Sequence, residues 1–142
     1  MNSPDIQIPR KITNQLLHLA QISPDYEVCG LIGSKNGLPT HCYPIKNSAG
    51  QPRQRFLLDA AQQISTMAKM RELGEELFAI YHSHPAGPDR PSPTDVAEAA
   101  YPNVIHLIWH LQSGAWECSG FLIDDQQVLP VTIQVMPFPT QR

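Results

Sequence analysis

The run VIHLIWHL, residues 104–111, holds no charged side chain and only two polar ones, both histidines. A stretch that apolar on both faces reads as an interior strand, so the chain must build a sheet with layers packed on it. A second run, LFAIYHSH (residues 77–84), starts the same way but turns polar at its end, as strands do on entering a site. After Pro9, the spacing of Ile12, Leu16, Leu19 and Ala20 predicts a helix over about residues 9–22. EVCGLIG and LPTHCYPIKN read as strands joined into a hairpin by the turn SKNG. SAGQPRQ is a loop, RFLLD a third short strand, and AAQQISTMAKMREL a helix ended by Gly74. PTDVAEAAYP forms a short helix closed by Pro102, and WECSGFLID and QVLPVTIQVM complete the sheet. The order α-β-β-β-α-β-α-β-β-β mixes hairpins with crossovers, which predicts an α/β fold: a mixed β-sheet flanked by helices, in one domain over residues 1–142.

Bulk properties narrow the function. A chain of 142 residues can bury a core without disulfide staples. The net charge of −3, with ten Lys and Arg scattered along the chain, leaves no basic stripe for a phosphate backbone, so nucleic acid is not expected as a partner. The N-terminal stretch MNSPDIQIPRKITNQ lacks an apolar core region, and no run approaches the roughly 20 apolar residues of a membrane span, so a cytoplasmic location away from the membrane is expected. Three cysteines (Cys29, Cys42 and Cys118) with no CxxC spacing suit neither a disulfide framework nor a thiolate zinc site. Any metal must be held by histidine and carboxylate.

The segment YHSHPAGPDRPSPTD, residues 81–95, offers those ligands. Positions i and i+2 of a strand face the same way, so His82 and His84 present both imidazoles to one side, with Ser83 turned away. Pro85 ends the ladder, and a stiff proline-rich loop returns the chain to Ser92 and Asp95. Each piece has an ordinary explanation. Ser92, Pro93 and Asp95 fit a capping box with proline at the first helical position, and an isolated H-x-H is more often a pair of satisfied or exposed histidines than a site. The conjunction of H-x-H-P, six residues, then S-x-x-D outweighs both, since average residue usage yields it by chance roughly once in 100,000 chains of this length. Two imidazoles, one carboxylate and an open fourth position are the ligand set of a catalytic zinc ion. Its water, with a pKa lowered to about 7, needs a base. The acidic candidates near strands are Glu27, Asp59, Glu117, Asp124 and Asp125; Glu27 stands out because it opens the apolar strand EVCGLIG, where burial can raise its pKa.

Glu27 in EVCGLIG, followed by HSHP and by Ser92 and Asp95, resembles the JAMM motif of the MPN+ metalloprotease family. The resemblance covers nearly the whole chain and is strongest to the compact prokaryotic branch, called Mec+, that is similar to CysO-cysteine peptidases. It implies a cytidine-deaminase-like fold with one zinc ion at the edge of the sheet. Residue by residue, it makes His82, His84 and Asp95 the zinc ligands, Glu27 the general acid/base that also holds the zinc water, and Ser92 the donor that steadies the oxyanion. It further implies hydrolysis of an amide or isopeptide bond after the C-terminal Gly-Gly of a ubiquitin-like protein or of a ThiS/MoaD-like sulfur-carrier protein. A diglycine tail suits a narrow cleft, since it can be held extended by backbone hydrogen bonds.

Rival readings are a noncatalytic MPN-type scaffold, which typically loses these ligands, and a non-haem iron site with the same ligand types. A nucleobase deaminase is disfavoured because H-x-E and P-C-x-x-C are missing. Cys29 shares a strand face with Glu27 in this reading, so a cysteine nucleophile is an alternative to a buried structural thiol. His106 and His110, four apart on the interior strand, read as satisfied or rim histidines in preference to a second metal site. His18 and His41 carry no signal, and Trp109 and Trp116 read as packing.

Overall fold

The computed structural model describes residues 4–137, in the order β1 (Asp5–Pro9), α1 (Arg10–Gln21), β2 (Cys29–Lys35), β3 (Leu38–Ile45), α2 (Ala60–Glu72), β4 (Glu76–His84), α3 (Pro93–Glu98), β5 (Ile105–Gln112), β6 (Ala115–Asp124) and β7 (Gln127–Met136). Seven strands form one sheet in the order β1-β7-β6-β5-β4-β2-β3. The β1/β7 and β4/β5 pairs are parallel and the rest antiparallel, giving the expected mixed sheet. Three connections are two-residue turns with positive φ at both positions: Asn36-Gly37, Ser113-Gly114 and Asp125-Gln126. That backbone matches the right-handed twist of the paired strands and fixes each hairpin's register. The sheet curls until its edge strands β1 and β3 approach each other, both packed on α1.

Alternation along β4 divides the interior in two. Ala79 and Tyr81 point toward α1 and join Ile12, Leu16, Ala20, Ile32, Leu107 and Trp109 in the larger core. Ile80 points the other way, toward α2, with Leu31, Ile45 and Met70. Each such aliphatic side chain stabilises the fold by about 1.5–3 kcal/mol on full burial. The same alternation sends His82 and His84 to the Ile80 face, beneath α2 and α3. No helix among the described residues is long and apolar enough to cross a membrane.

Four local expectations change. RFLLD is not a strand: the Asn47 side chain takes its hydrogen bonds, accepting from Leu57 N–H and donating to the Arg55 carbonyl, and only an isolated Asn47–Leu58 bridge remains. The strand expected to open at Glu27 begins at Cys29, because Glu27 N–H donates instead to the carbonyl of Pro52 at 2.8 Å. The α3 helix stops at Glu98, before Pro102, with Ala99 already extended. Finally, β1 was not anticipated; DIQIP is half polar and five residues long, and only its partner β7 makes it a strand.

Candidate metal centre

Strand β4 carries His82 and His84 at its last turn-free positions, and α3 carries Asp95 on its first turn. The start of α3 is the capping box expected from SPTD: the Ser92 hydroxyl accepts from Asp95 N–H at 3.0 Å, and Asp95 Oδ2 accepts from Ser92 N–H at 2.8 Å. That reciprocal pair aims the carboxylate at the strand. His82 Nε2 and His84 Nε2 lie 3.0 Å apart, and Asp95 Oδ2 lies 3.1 Å from the first and 3.2 Å from the second. All three residues are buried.

Three ligand atoms so close fit a metal ion. Tetrahedral bonds of about 2.0–2.1 Å set ligand atoms about 3.3 Å apart, close to the spacing found. The tautomer agrees: His84 Nδ1 faces the Pro88 carbonyl at 2.8 Å and donates to it, which makes Nε2 the lone-pair end whenever the ring is neutral. The field agrees as well. Burial alone would raise the Asp95 carboxyl, but the two imidazoles and Ser92 N–H outweigh it and hold Asp95 well below the usual carboxylate range. Burial pushes His82 down, keeping it neutral. For His84 burial acts downward too, but Asp95 and the Pro88 carbonyl prevail and push it up, so the centre attracts positive charge.

Glu27 stands beside this triangle. One of its carboxylate oxygens lies within 4.8 Å of ligand atoms of both histidines. By distance, the tighter ligand set is His82, His84 and Asp95; Glu27 Oε1 is buried and makes no hydrogen bond. Burial pushes its carboxyl up to about 7, His84 pulling it down and Asp95 pushing it further up. A carboxyl poised near neutrality, with a free oxygen facing two imidazoles, can take up and return a proton.

The other candidates separate cleanly. Cys29 faces His82 across the sheet, but its thiol hydrogen-bonds to the Ile45 carbonyl at 3.4 Å and burial pushes it up to about 12, which makes it a packing residue. Asp59 caps α2 by accepting from Gln62 N–H, Glu117 sits opposite His110, and Asp124 and Asp125 lie at the β6–β7 turn. His110 is satisfied by Ser119 at 3.0 Å, as expected, whereas His106 is buried with Nε2 unpartnered, which was not expected. Burial, with His82 adding to it, pushes His106 down to about 4, so its ring is neutral.

Three residues that shape the centre were not singled out from sequence. The Ser83 hydroxyl accepts from Val28 N–H at 2.9 Å, pinning the segment that carries Glu27. Asn47 donates to the Glu27 carbonyl at 2.9 Å and braces the same segment from the other side. Phe56 stacks on the His82 ring at 4.2 Å between centroids. The turned-away position of Ser83 in H-x-H was the one available signal.

Residues 9–129 match the family model described as prokaryotic homologs of the JAB domain. The chain is 32% identical over 87 residues to a desampylase of Haloferax volcanii, covering 60% of this chain and 63% of that one. It is 31% identical over 97 residues to a probable TtuB-protein conjugate cleaving protease of Thermus thermophilus, covering 68% and 64%. The match thus spans less than two thirds of either relative's length. A protein of Desulfitobacterium hafniense, solved in solution, superposes with a TM-score of 0.82 at 29% identity over 93% of both chains. A JAB1/MPN domain protein of Archaeoglobus fulgidus shares the fold with a TM-score of 0.60, at 17% identity over 93% of this chain and 98% of that one.

Proposed function

The chain belongs to the family of prokaryotic homologs of the JAB domain, the prokaryotic branch of the JAMM/MPN+ proteins, and from that premise we propose that it is a zinc-dependent metallopeptidase. Its reaction is hydrolysis of the amide or isopeptide bond after the C-terminal Gly-Gly of a ubiquitin-like or sulfur-carrier protein. The observation that carries this reading is the convergence of His82, His84 and Asp95 to within 3.2 Å, with the unpaired Glu27 Oε1 beside them. The names of the relatives, a desampylase and a conjugate cleaving protease, support the substrate class.

His82 Nε2, His84 Nε2 and Asp95 Oδ2 would hold the ion, which supplies a Lewis acid and a water of pKa about 7. Glu27 accepts the water's proton at its carboxylate and returns it to the leaving amine, a general acid/base role that contributes typically 10²–10⁴-fold. The Ser92 oxygen already accepts from Asp95 N–H, so its own O–H is free to donate to the oxyanion of the substrate carbonyl. Asn47 and Ser83 hold Glu27 in position from two sides. A diglycine tail, without side chains, is gripped through its backbone.

The test is to incubate the zinc-loaded protein with sulfur-carrier proteins extended past Gly-Gly and to read the products by mass. Cleavage immediately after Gly-Gly, abolished in Glu27→Gln, is expected. Intact substrates throughout would favour the noncatalytic scaffold.

A further inference from the structure

We propose that Phe56 is a positioning residue for the metal centre: its ring, stacked on His82, sets the direction in which His82 Nε2 points toward His84 and Asp95. The assignment rests on the metal-binding part of the peptidase reading and adds to it a residue that holds no ion itself.

The two histidines are steadied in different ways. His84 Nδ1 donates to the Pro88 carbonyl at 2.8 Å, a bond that fixes the rotation of its ring. His82 Nδ1 is buried and has no hydrogen-bond partner among the described residues. A metal-ligating histidine almost always donates its second ring N–H to an acceptor that orients it, so His82 needs another means of holding its ring. Phe56 supplies one. Its ring lies 4.2 Å from that of His82 between centroids, with 22° between the planes, while the His84 ring meets His82 edge-on at 4.7 Å. A flat face packed this closely resists rotation of the imidazole about its Cβ–Cγ bond, because a turn drives the ring edge into its neighbour.

Phe56 can serve as a stop because its own segment is pinned. Asn47 accepts from Leu57 N–H and donates to the Arg55 carbonyl, both at 3.0 Å, so one amide ties down the residues on either side of Phe56. Ser48 N–H donates to the Leu57 carbonyl at 2.7 Å. The Arg55 guanidinium meets Glu98 Oε1 at 2.6 Å, at the end of the helix whose first turn carries Asp95. The same Asn47 amide donates to the Glu27 carbonyl at 2.9 Å. One side chain thus braces the segments of both Phe56 and Glu27.

The test titrates zinc into the metal-free protein against a chromophoric chelator, in wild type, Phe56→Leu, Phe56→Tyr and Leu77→Ala. Phe56→Leu keeps apolar bulk but removes the flat face, and should weaken zinc binding about tenfold, the low end for a group that orients a ligand. Phe56→Tyr keeps the ring at a half-buried position and should bind zinc as wild type does. Leu77→Ala loosens the core that Phe56 also packs against, five residues before His82, and should leave the affinity unchanged. A second readout needs no metal: the Phe56 ring current displaces the His82 ring protons, so at alkaline pH their resonances should move downfield in metal-free Phe56→Leu, and those of His84 far less. Wild-type affinity in Phe56→Leu, an equal loss in Phe56→Tyr or Leu77→Ala, or unmoved His82 resonances would overturn the assignment. A wild-type protein that binds zinc tightly but cuts no substrate sinks the peptidase reading and leaves the role of Phe56 standing; one that binds no zinc sinks both.

Discussion

Val28 N–H donates to the hydroxyl of Ser83 at 2.9 Å, linking the residue after Glu27 to the residue between the two histidines. The H-x-H repeat thus does two jobs through strand alternation: its outer positions face Asp95, and its middle one ties the segment that carries Glu27 to β4. Ser83→Ala removes one hydrogen bond worth about 1 kcal/mol. The backbone bond from Ser83 N–H to the Val28 carbonyl at 3.0 Å stays. Zinc stoichiometry should therefore be unchanged while kcat falls on the order of tenfold. A metal assay beside a kcat measurement checks this, and lost zinc would refute the positioning role.

Glu27→Gln separates holding the ion from using it. The amide keeps the shape of the carboxylate but cannot take a proton, so zinc should still bind one per chain while hydrolysis falls by at least about 10²-fold. His84→Ala removes one of the three close ligand atoms, and both zinc and activity should be lost. Elemental analysis beside the mass-based cleavage assay reads both, and normal cleavage by Glu27→Gln would rule out Glu27 as the general acid/base.

The convergence of His82, His84 and Asp95 was legible because its parts are local patterns. His82 and His84 obey strand alternation, Ser92 and Asp95 obey the capping box, and only Glu27 had to be placed from afar, by its apolar strand and by the family resemblance. What sequence hid depends on partners distant in the chain. RFLLD has strand composition, yet Asn47 takes its hydrogen bonds; β1 has weak composition, yet β7 recruits it. His106 read as a satisfied or rim histidine because nothing in VIHLIWHL shows that its Nε2 is buried without a partner.

Removing the metal should weaken the fold without unfolding it, since neither core depends on the centre. At zinc 100-fold above its Kd, binding to the native state alone adds about 2.7 kcal/mol. For a chain of this size that is on the order of 10 °C in Tm. Thermal scans with zinc and with a chelator should show this gap in wild type and Glu27→Gln, and none in His84→Ala. A chelated wild-type protein that melts without a cooperative transition would contradict the separation of cores and centre.

At the other end of β4, remote from His82 and His84, Glu75 supplies a pH dependence of stability. Its carboxylate is buried and accepts hydrogen bonds from Thr40 and Tyr43, with His41 Nδ1 at 2.6 Å. Burial would raise its pKa, but these bonds outweigh burial and lower it below the ordinary 4.5. A group whose folded-state pKa is depressed binds its proton more readily when unfolded. Its contribution is therefore complete above about pH 5 and is lost as pH falls through the folded-state value. Glu75→Gln cannot titrate, so this part of the acid sensitivity should vanish with it, at the cost of weaker acceptance from Thr40 and Tyr43. Urea midpoints measured from pH 6 downward should fall more steeply in wild type than in the variant. Parallel curves would mean that Glu75 titrates alike in both states.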